Sequence, residues 1–119
     1  INMCMKFINK SDRPWGAYYV IHDEKNYKLK KIHVKPGERL SYQYHNFRSE
    51  TWVVVKGSGL VTLNDKDIRL KYGDTITIPK LSRHRVFNDK KDDLIFIEVQ
   101  TGDSFEESDI VRVQDDYGR

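Results

Sequence analysis

Residues 37–57 read GERLSYQYHNFRSETWVVVKG, and residues 73–88 read GDTITIPKLSRHRVFN. In the first stretch, Gly37 is followed after five residues by Gln43, Tyr44 and His45, after four more by Glu50, and after another six by Gly57. In the second, Gly73 is followed after five residues by Pro79, and then by His84 and Asn88. Gln43 and His45 are two apart, so on a strand their side chains leave the same face. A strand beginning near Glu50 can return antiparallel and set its carboxylate beside them. His84, from a strand distant in sequence, then completes a four-ligand cluster inside a barrel. An amide oxygen, two imidazoles and a carboxylate form a mixed nitrogen and oxygen set that suits one first-row divalent ion, Zn, Mn, Fe, Co or Ni; Mg would want more oxygens. Taken singly, each is an ordinary polar strand residue. The combination, with Gly and Pro at the turns between, is what marks a candidate metal site.

Outward from these stretches, the chain alternates β-branched or aromatic residues with polar ones in short runs. The expected strands are 17–22, 27–34, 40–45, 51–56, 59–63, 67–70, 74–78, 84–87 and 94–100. Pro36-Gly37, Gly57-Ser58-Gly59, Asn64-Asp65, Tyr72-Gly73 and Pro79 fall where strands should reverse. The expectation is an all-β sandwich or barrel. Only Ser104 to Asp109 reads as helical, as a single turn with Ser104, Glu106 and Glu107 at its start. The run Asp89 to Asp93 reads as a solvated loop, and Asp115 to Arg119 is polar enough to fray.

With 119 residues, one core must serve every purpose, and there is no room for a separate cofactor-binding module. Hydrophobic residues make up 38% and charged ones 33%, and seven Tyr, five Phe and two Trp supply core material that disordered chains lack. The formal charge of +3 comes from cations and anions interleaved along the chain. It does not mark a nucleic-acid binder, and a small anionic ligand fits it better. The single Cys4 forms no internal disulfide, in keeping with a reducing, cytoplasmic setting. No apolar run approaches the roughly 18 residues of a membrane span, and the opening lacks a signal-peptide core, so a soluble protein with no membrane partner is expected.

The two motifs resemble those of the cupin superfamily, G-x5-H-x-H-x4-E-x6-G and G-x5-P-x-G-x2-H-x3-N. The departures are Gln43 at the first His and Leu81 at the inner Gly of the second motif. A narrower resemblance comes from RPWG (13–16), YKLK (27–30), VKPG (34–37), QYH (43–45), RSETWVVV (48–55), RHR (83–85) and DDYGR (115–119). Together they resemble the type II mannose-6-phosphate isomerase domain, which in many bacteria is the C-terminal part of a bifunctional mannose-1-phosphate guanylyltransferase/mannose-6-phosphate isomerase. In that family Gln is the usual residue at the first ligand position. Asn46, Phe47 and Thr51 depart from the family's pattern, all outside the four presumed ligands.

The resemblance implies a single cupin domain over 1–119, a double-stranded β-helix of jelly-roll type, with motifs at 37–57 and 73–88 and an N-terminal arm over 1–12. It also implies a homodimer, and an upstream guanylyltransferase domain if Ile1 begins a fragment. The implied activity interconverts mannose 6-phosphate and fructose 6-phosphate, feeding GDP-mannose and polysaccharide synthesis, with a small sugar phosphate as partner. The metal ligands would be Gln43, His45, Glu50 and His84. Lys30 and Arg85 are the expected catalytic residues, and Arg48, Tyr44 and Ser41 the expected substrate-binding ones. The phosphate anchor is sought first at Arg85, then at Lys30 and Arg48, because guanidinium forks match phosphate oxygens. The base is open between Lys30 and a metal-bound water. Arg13 and Arg119 have open roles, one being to close the barrel through salt bridges, and Trp15, Trp52 and Tyr44 read first as core or rim packing. Two alternatives stand beside this reading: a metal- and sugar-phosphate-binding cupin without turnover, and an epimerase or ketoisomerase acting on a nucleotide-linked sugar.

Overall fold

A computed structural model describes residues 7–119, so Cys4 and the start of the expected arm lie outside the described residues. Eleven strands form two sheets in which every pairing is antiparallel: β1 Asn9–Arg13, β2 Gly16–Asp23, β3 Tyr27–Val34, β4 Tyr42–Tyr44, β5 Arg48–Lys56, β6 Gly59–Leu63, β7 Lys66–Leu70, β8 Thr75–Ile78, β9 His84–Phe87, β10 Leu94–Gly102 and β11 Val111–Gln114. The larger sheet runs β1-β2-β3-β10-β5-β8 and the smaller β11-β4-β9-β6-β7. They face one another across a shared interior, the all-β architecture that the alternating pattern predicts. No helix among the described residues is long and apolar enough to cross a membrane.

The structure corrects three expectations about elements. Part of the expected arm, Asn9–Arg13, is β1 and pairs with β2. Val111–Gln114 adds β11 against β4. Ser104 to Asp109 forms no helix: an Asp109 N–H to Glu106 carbonyl bond of 3.0 Å closes an isolated turn. Its acids are drawn elsewhere, Glu107 to Lys30 and the Asp109 carboxylate to the backbone of Asn46 and Phe47. The tail does not fray either, since Asp116 pairs with Arg39 and the Tyr117 hydroxyl bonds to Glu38.

Two turns show how the sequence imposes this path. Asn64 and Asp65 both take positive φ, 48° and 69°, and join β6 to β7 as a two-residue hairpin loop, where Asn and Asp tolerate that conformation. Gly57 has φ 79°, and a Cβ there would sit 2.4 Å from the Asp93 carbonyl oxygen. Glycine is therefore required at this position for both backbone angle and space.

Period-2 alternation gives the interior two zones. The inward residues of β3 are Lys28, Lys30, Ile32 and Val34; those of β10 are Leu94, Phe96, Glu98 and Gln100; those of β5 are Arg48, Glu50, Trp52 and Val54. In register, Val34 with Leu94 and Val54 with Phe96 lie toward one end, and Lys28, Gln100 and Glu50 at the other. One end of the interior is thus an apolar floor, closed by Trp52, Phe96, Leu94 and Ile78 together with Val61 and Val86 from the smaller sheet. The other end is lined by buried charge, which a fold retains only where the charges are paired or used.

Candidate metal centre and its cavity

The site is built where the two sheets meet at the polar end. Gln43 of β4 is paired in register with His84 of β9 on one side and with Arg112 of β11 on the other, so these three side chains share one face of the smaller sheet. His45 follows two residues after Gln43. Glu50 comes across the interior from the larger sheet. His45, Glu50 and His84 are all nearly inaccessible, at 3%, 3% and 2% exposure, and offer one ligand atom each within 4.8 Å of one another.

Hydrogen bonds fix which imidazole nitrogen faces inward. His45 Nδ1 lies 2.6 Å from the Asp109 carbonyl and His84 Nδ1 lies 2.9 Å from the Ser82 carbonyl. A carbonyl can only accept, so both Nδ1 atoms donate, and a ring that carries only that proton presents a bare Nε2. His45 Nε2 is 3.3 Å from one Glu50 oxygen and His84 Nε2 is 3.9 Å from the other. His84 Nε2 has no hydrogen-bond partner although it is buried. Burial pushes the His45 imidazole down, keeping it neutral.

Glu50 is ionised. Burial alone would raise its carboxyl, but His84, His45 and Arg48, with a hydrogen bond from Glu98, hold it at about 2. Arg48 Nε and Trp52 Nε1 donate to its two oxygens at 3.2 and 3.0 Å. Glu98 is the reverse case: burial first, and then the ionised Glu50, push it up to about 8, so it carries the proton between the two carboxyls. Gln100 Nε2 donates to Glu98 at 2.6 Å.

These residues fit a divalent metal. A buried, unpartnered imidazole nitrogen, a second one held in the same tautomer and an ionised carboxylate converge on one point, with Gln43 on the same face as His84. Each His is oriented by a backbone carbonyl in the way metal-bound imidazoles are. Ser41 Oγ donates to Gln43 Oε1 at 2.6 Å, which fixes the orientation of the amide.

Of the other predicted residues, Lys30, Arg48 and Gln43 line one cavity with Glu50, enclosing about 580 Å³ of atom-free space partly open to solvent. Lys30 Nζ lies 2.7 Å from Glu107 and 4.2 Å from the Tyr18 ring centre. Arg48 holds Glu50 and the Glu106 carbonyl, the latter at 3.1 Å. The structure does not bring Arg85 to this cavity. It leaves the opposite face of β9 from His84, with Nε bonded to the Leu40 carbonyl at 3.1 Å and its guanidinium 5.8 Å from the Tyr42 ring centre. Tyr44 likewise leaves the opposite face of β4 from Gln43. Arg119 makes a local pair with Asp115 at 3.0 Å, and Arg13 stacks on Tyr18, so neither closes the barrel by a salt bridge. Sequence reasoning missed Glu98, Glu107, Asp109 and Arg112. Only Glu98 carried a signal, as an acid at an inward position of LIFIEVQ (94–100).

Comparison with known proteins bears on the family and the fold. The chain is 46% identical over 107 residues to the mannose-1-phosphate guanylyltransferase ManC of Salmonella typhimurium and 45% identical over 107 residues to the alginate biosynthesis protein AlgA of Pseudomonas aeruginosa. Each match covers 90% of this chain but 22% of the relative, so the chain spans about a fifth of the length of these proteins. Among solved structures, an uncharacterized conserved protein with a double-stranded β-helix domain from Klebsiella pneumoniae superposes with a TM-score of 0.71 at 20% identity, covering 80% of this chain and 76% of that one. That likeness supports the fold alone. A family model described as mannose-6-phosphate isomerase C-terminal matches residues 3–115. Matched by that model over nearly its whole length, the chain belongs to the mannose-6-phosphate isomerase C-terminal family.

Proposed function

We propose that this domain interconverts mannose 6-phosphate and fructose 6-phosphate, with one divalent metal held by Gln43, His45, Glu50 and His84. The observation that carries the reading is the pair of inward Nε2 atoms, each fixed by its Nδ1 bond, set against an ionised, buried Glu50. Bound there, the metal would supply Lewis-acid polarisation of the sugar's carbonyl edge. The chain's own residues do the rest. Arg48 and Trp52 hold Glu50 in place. Lys30, neutralised by Glu107, lines the wall beside Tyr18. Glu98 is the one carboxyl of the cavity that no cation engages among the described residues. Its raised carboxyl holds a proton near neutral pH and can give one to the sugar's oxygen edge, while the ionised fraction that grows toward pH 8 can take a proton at C2 and return it at C1. The apolar floor of Trp52 and Phe96 keeps bulk water from the enclosed side.

The test is a coupled assay on the chain loaded in turn with Zn, Mn, Fe, Co and Ni. Turnover that chelation abolishes, and that is lost in His84→Ala and Glu50→Gln with folding retained, is the expected result; rates unchanged by chelation would sink the metal's role. The same reading places the domain in the supply of GDP-mannose for polysaccharide synthesis, in the cytoplasm. It also favours a homodimer that covers outer strands such as β1 and β7, whose free edges invite pairing. Light scattering after gel filtration measures the assembly.

A further inference from the structure

The cavity's charge is unbalanced in a specific place. Arg13, Lys30, Arg48, Arg112 and Arg119 all line it, but three of these cations are already engaged: Lys30 by Glu107 at 2.7 Å, Arg48 by Glu50 at 3.2 Å and Arg119 by Asp115 at 3.0 Å. Arg13 and Arg112 pair with no carboxylate among the described residues. Arg13 gives one N–H to the Asp12 carbonyl at 3.2 Å and one to the Tyr18 hydroxyl at 3.3 Å, with its guanidinium 5.1 Å from the Tyr18 ring centre. The Arg112 side chain makes no hydrogen bond or ion pair among the described residues. Burial first, then Arg119 and Arg13, push the Arg112 guanidinium down against the opposing pull of Asp115, so like charges gather at this wall in excess of their counter-charge. Such a gathering is unfavourable until an anion enters it.

Position says which anion. Arg112 is the in-register partner of Gln43, so their Cβ atoms stand about 5 Å apart on one face. It lies on the far side of Gln43 from His84, which pairs with Gln43 from the other strand. A hexose 6-phosphate carries its phosphate at the opposite end of the carbon chain from its C1–C2 edge. A sugar whose C1–C2 edge faces the ligand cluster therefore sends its phosphate outward, past Gln43, toward β11.

We propose that Arg13 and Arg112, with the free Nη1 edge of Arg119, receive the phosphate of the bound sugar, the task the sequence had assigned first to Arg85. This assignment rests on the isomerase reading above, and it makes β11 and the docked tail part of the substrate site.

The experiment compares the chain with Arg112→Gln and Arg13→Gln. In the coupled assay each variant is expected to raise KM for mannose 6-phosphate about 10- to 100-fold, the range for losing a charge-assisted hydrogen bond, with kcat changed far less. Its preference for mannose 6-phosphate over mannose should shrink by a similar factor. A purely structural role would not produce that split. Calorimetric binding of fructose 6-phosphate, against fructose as control, is measured in parallel and does not depend on turnover. If the metal-loaded chain binds fructose 6-phosphate but turns nothing over, the isomerase reading fails while loss of binding in Arg112→Gln still supports the phosphate receptor. Wild-type KM and binding in both variants, or no discrimination between fructose 6-phosphate and fructose by the unaltered chain, would overturn it.

Discussion

Asp109 is the residue whose replacement best tests how this site is held. Its carboxylate accepts the N–H groups of Asn46 and Phe47, each at 2.9 Å, and its carbonyl accepts His45 Nδ1 at 2.6 Å. Asp109→Asn leaves one acceptor oxygen and turns an NH2 group toward the other N–H, so one charge-assisted bond is lost and one partly buried donor is stranded. That should cost about 2–3 kcal/mol, or about 10 °C in Tm for a domain of this size. Loosening the clamp also frees the carbonyl that sets the His45 tautomer, so metal affinity should fall about tenfold, as for other outer partners of metal ligands. The pH dependence has a definite sign. Burial alone would raise the Asp109 carboxyl, but the two backbone N–H groups, His45 and Arg48 hold it below the ordinary range. Its contribution is therefore fully present above the unfolded pKa of about 3.9 and is lost as pH falls through the lower folded value. The Tm gap between wild type and Asp109→Asn should be constant near neutrality and close in that acid window. Calorimetry across pH, with chelator competition for the metal, measures both effects. Stability within about 0.5 kcal/mol of wild type together with unchanged metal affinity would refute the clamp.

Three further perturbations follow. Leu81 takes φ 72° while 58% exposed, so Leu81→Gly relieves left-handed strain and loses little burial; a Tm gain equivalent to about 0.5–1 kcal/mol is expected, and a lower Tm would count against strain at this turn. Gly57→Ala meets both positive φ and the Asp93 carbonyl, and should cost about 3 kcal/mol, read as a shift in the denaturation midpoint at unchanged m-value. Glu98→Gln keeps a donor toward Glu50 but removes the proton carrier, so kcat for the isomerisation should fall about 100-fold or more with the circular dichroism spectrum retained; near-wild-type kcat would remove Glu98 from the chemistry.

The cluster of His45, Glu50 and His84, with Gln43 beside it, was legible because its geometry is local: a two-residue spacing on one strand, a return strand, and a second motif with its own turn. Arg85 shows the limit of reasoning from adjacency. It neighbours His84 in sequence, but next to each other on a strand means opposite each other across the sheet, and the same rule separates Tyr44 from Gln43. Ser41, two residues before Gln43, lands on the same face and touches it. β1, reading NKSDR, and β11, reading VRVQ, escaped notice because neither carries a run long or apolar enough to signal a strand; pairing with β2 and β4 makes them. Ser104 to Asp109 had helix-start chemistry, but its acids found cationic and backbone partners about 60 to 80 residues away in sequence, and those long-range bonds outweighed a single helical turn.

The clamp at Asp109 also sets an order of assembly during synthesis. His45, Asn46 and Phe47 wait for a partner 62 to 64 residues downstream, and Arg112 comes later still. A chain released between residues 84 and 109 carries every proposed metal ligand but not the carbonyl that aligns His45, nor the strand that flanks Gln43. The growing polypeptide therefore passes through that interval with all the proposed ligands and His45 unaligned, and a chain released there is expected to bind metal more weakly than the whole domain.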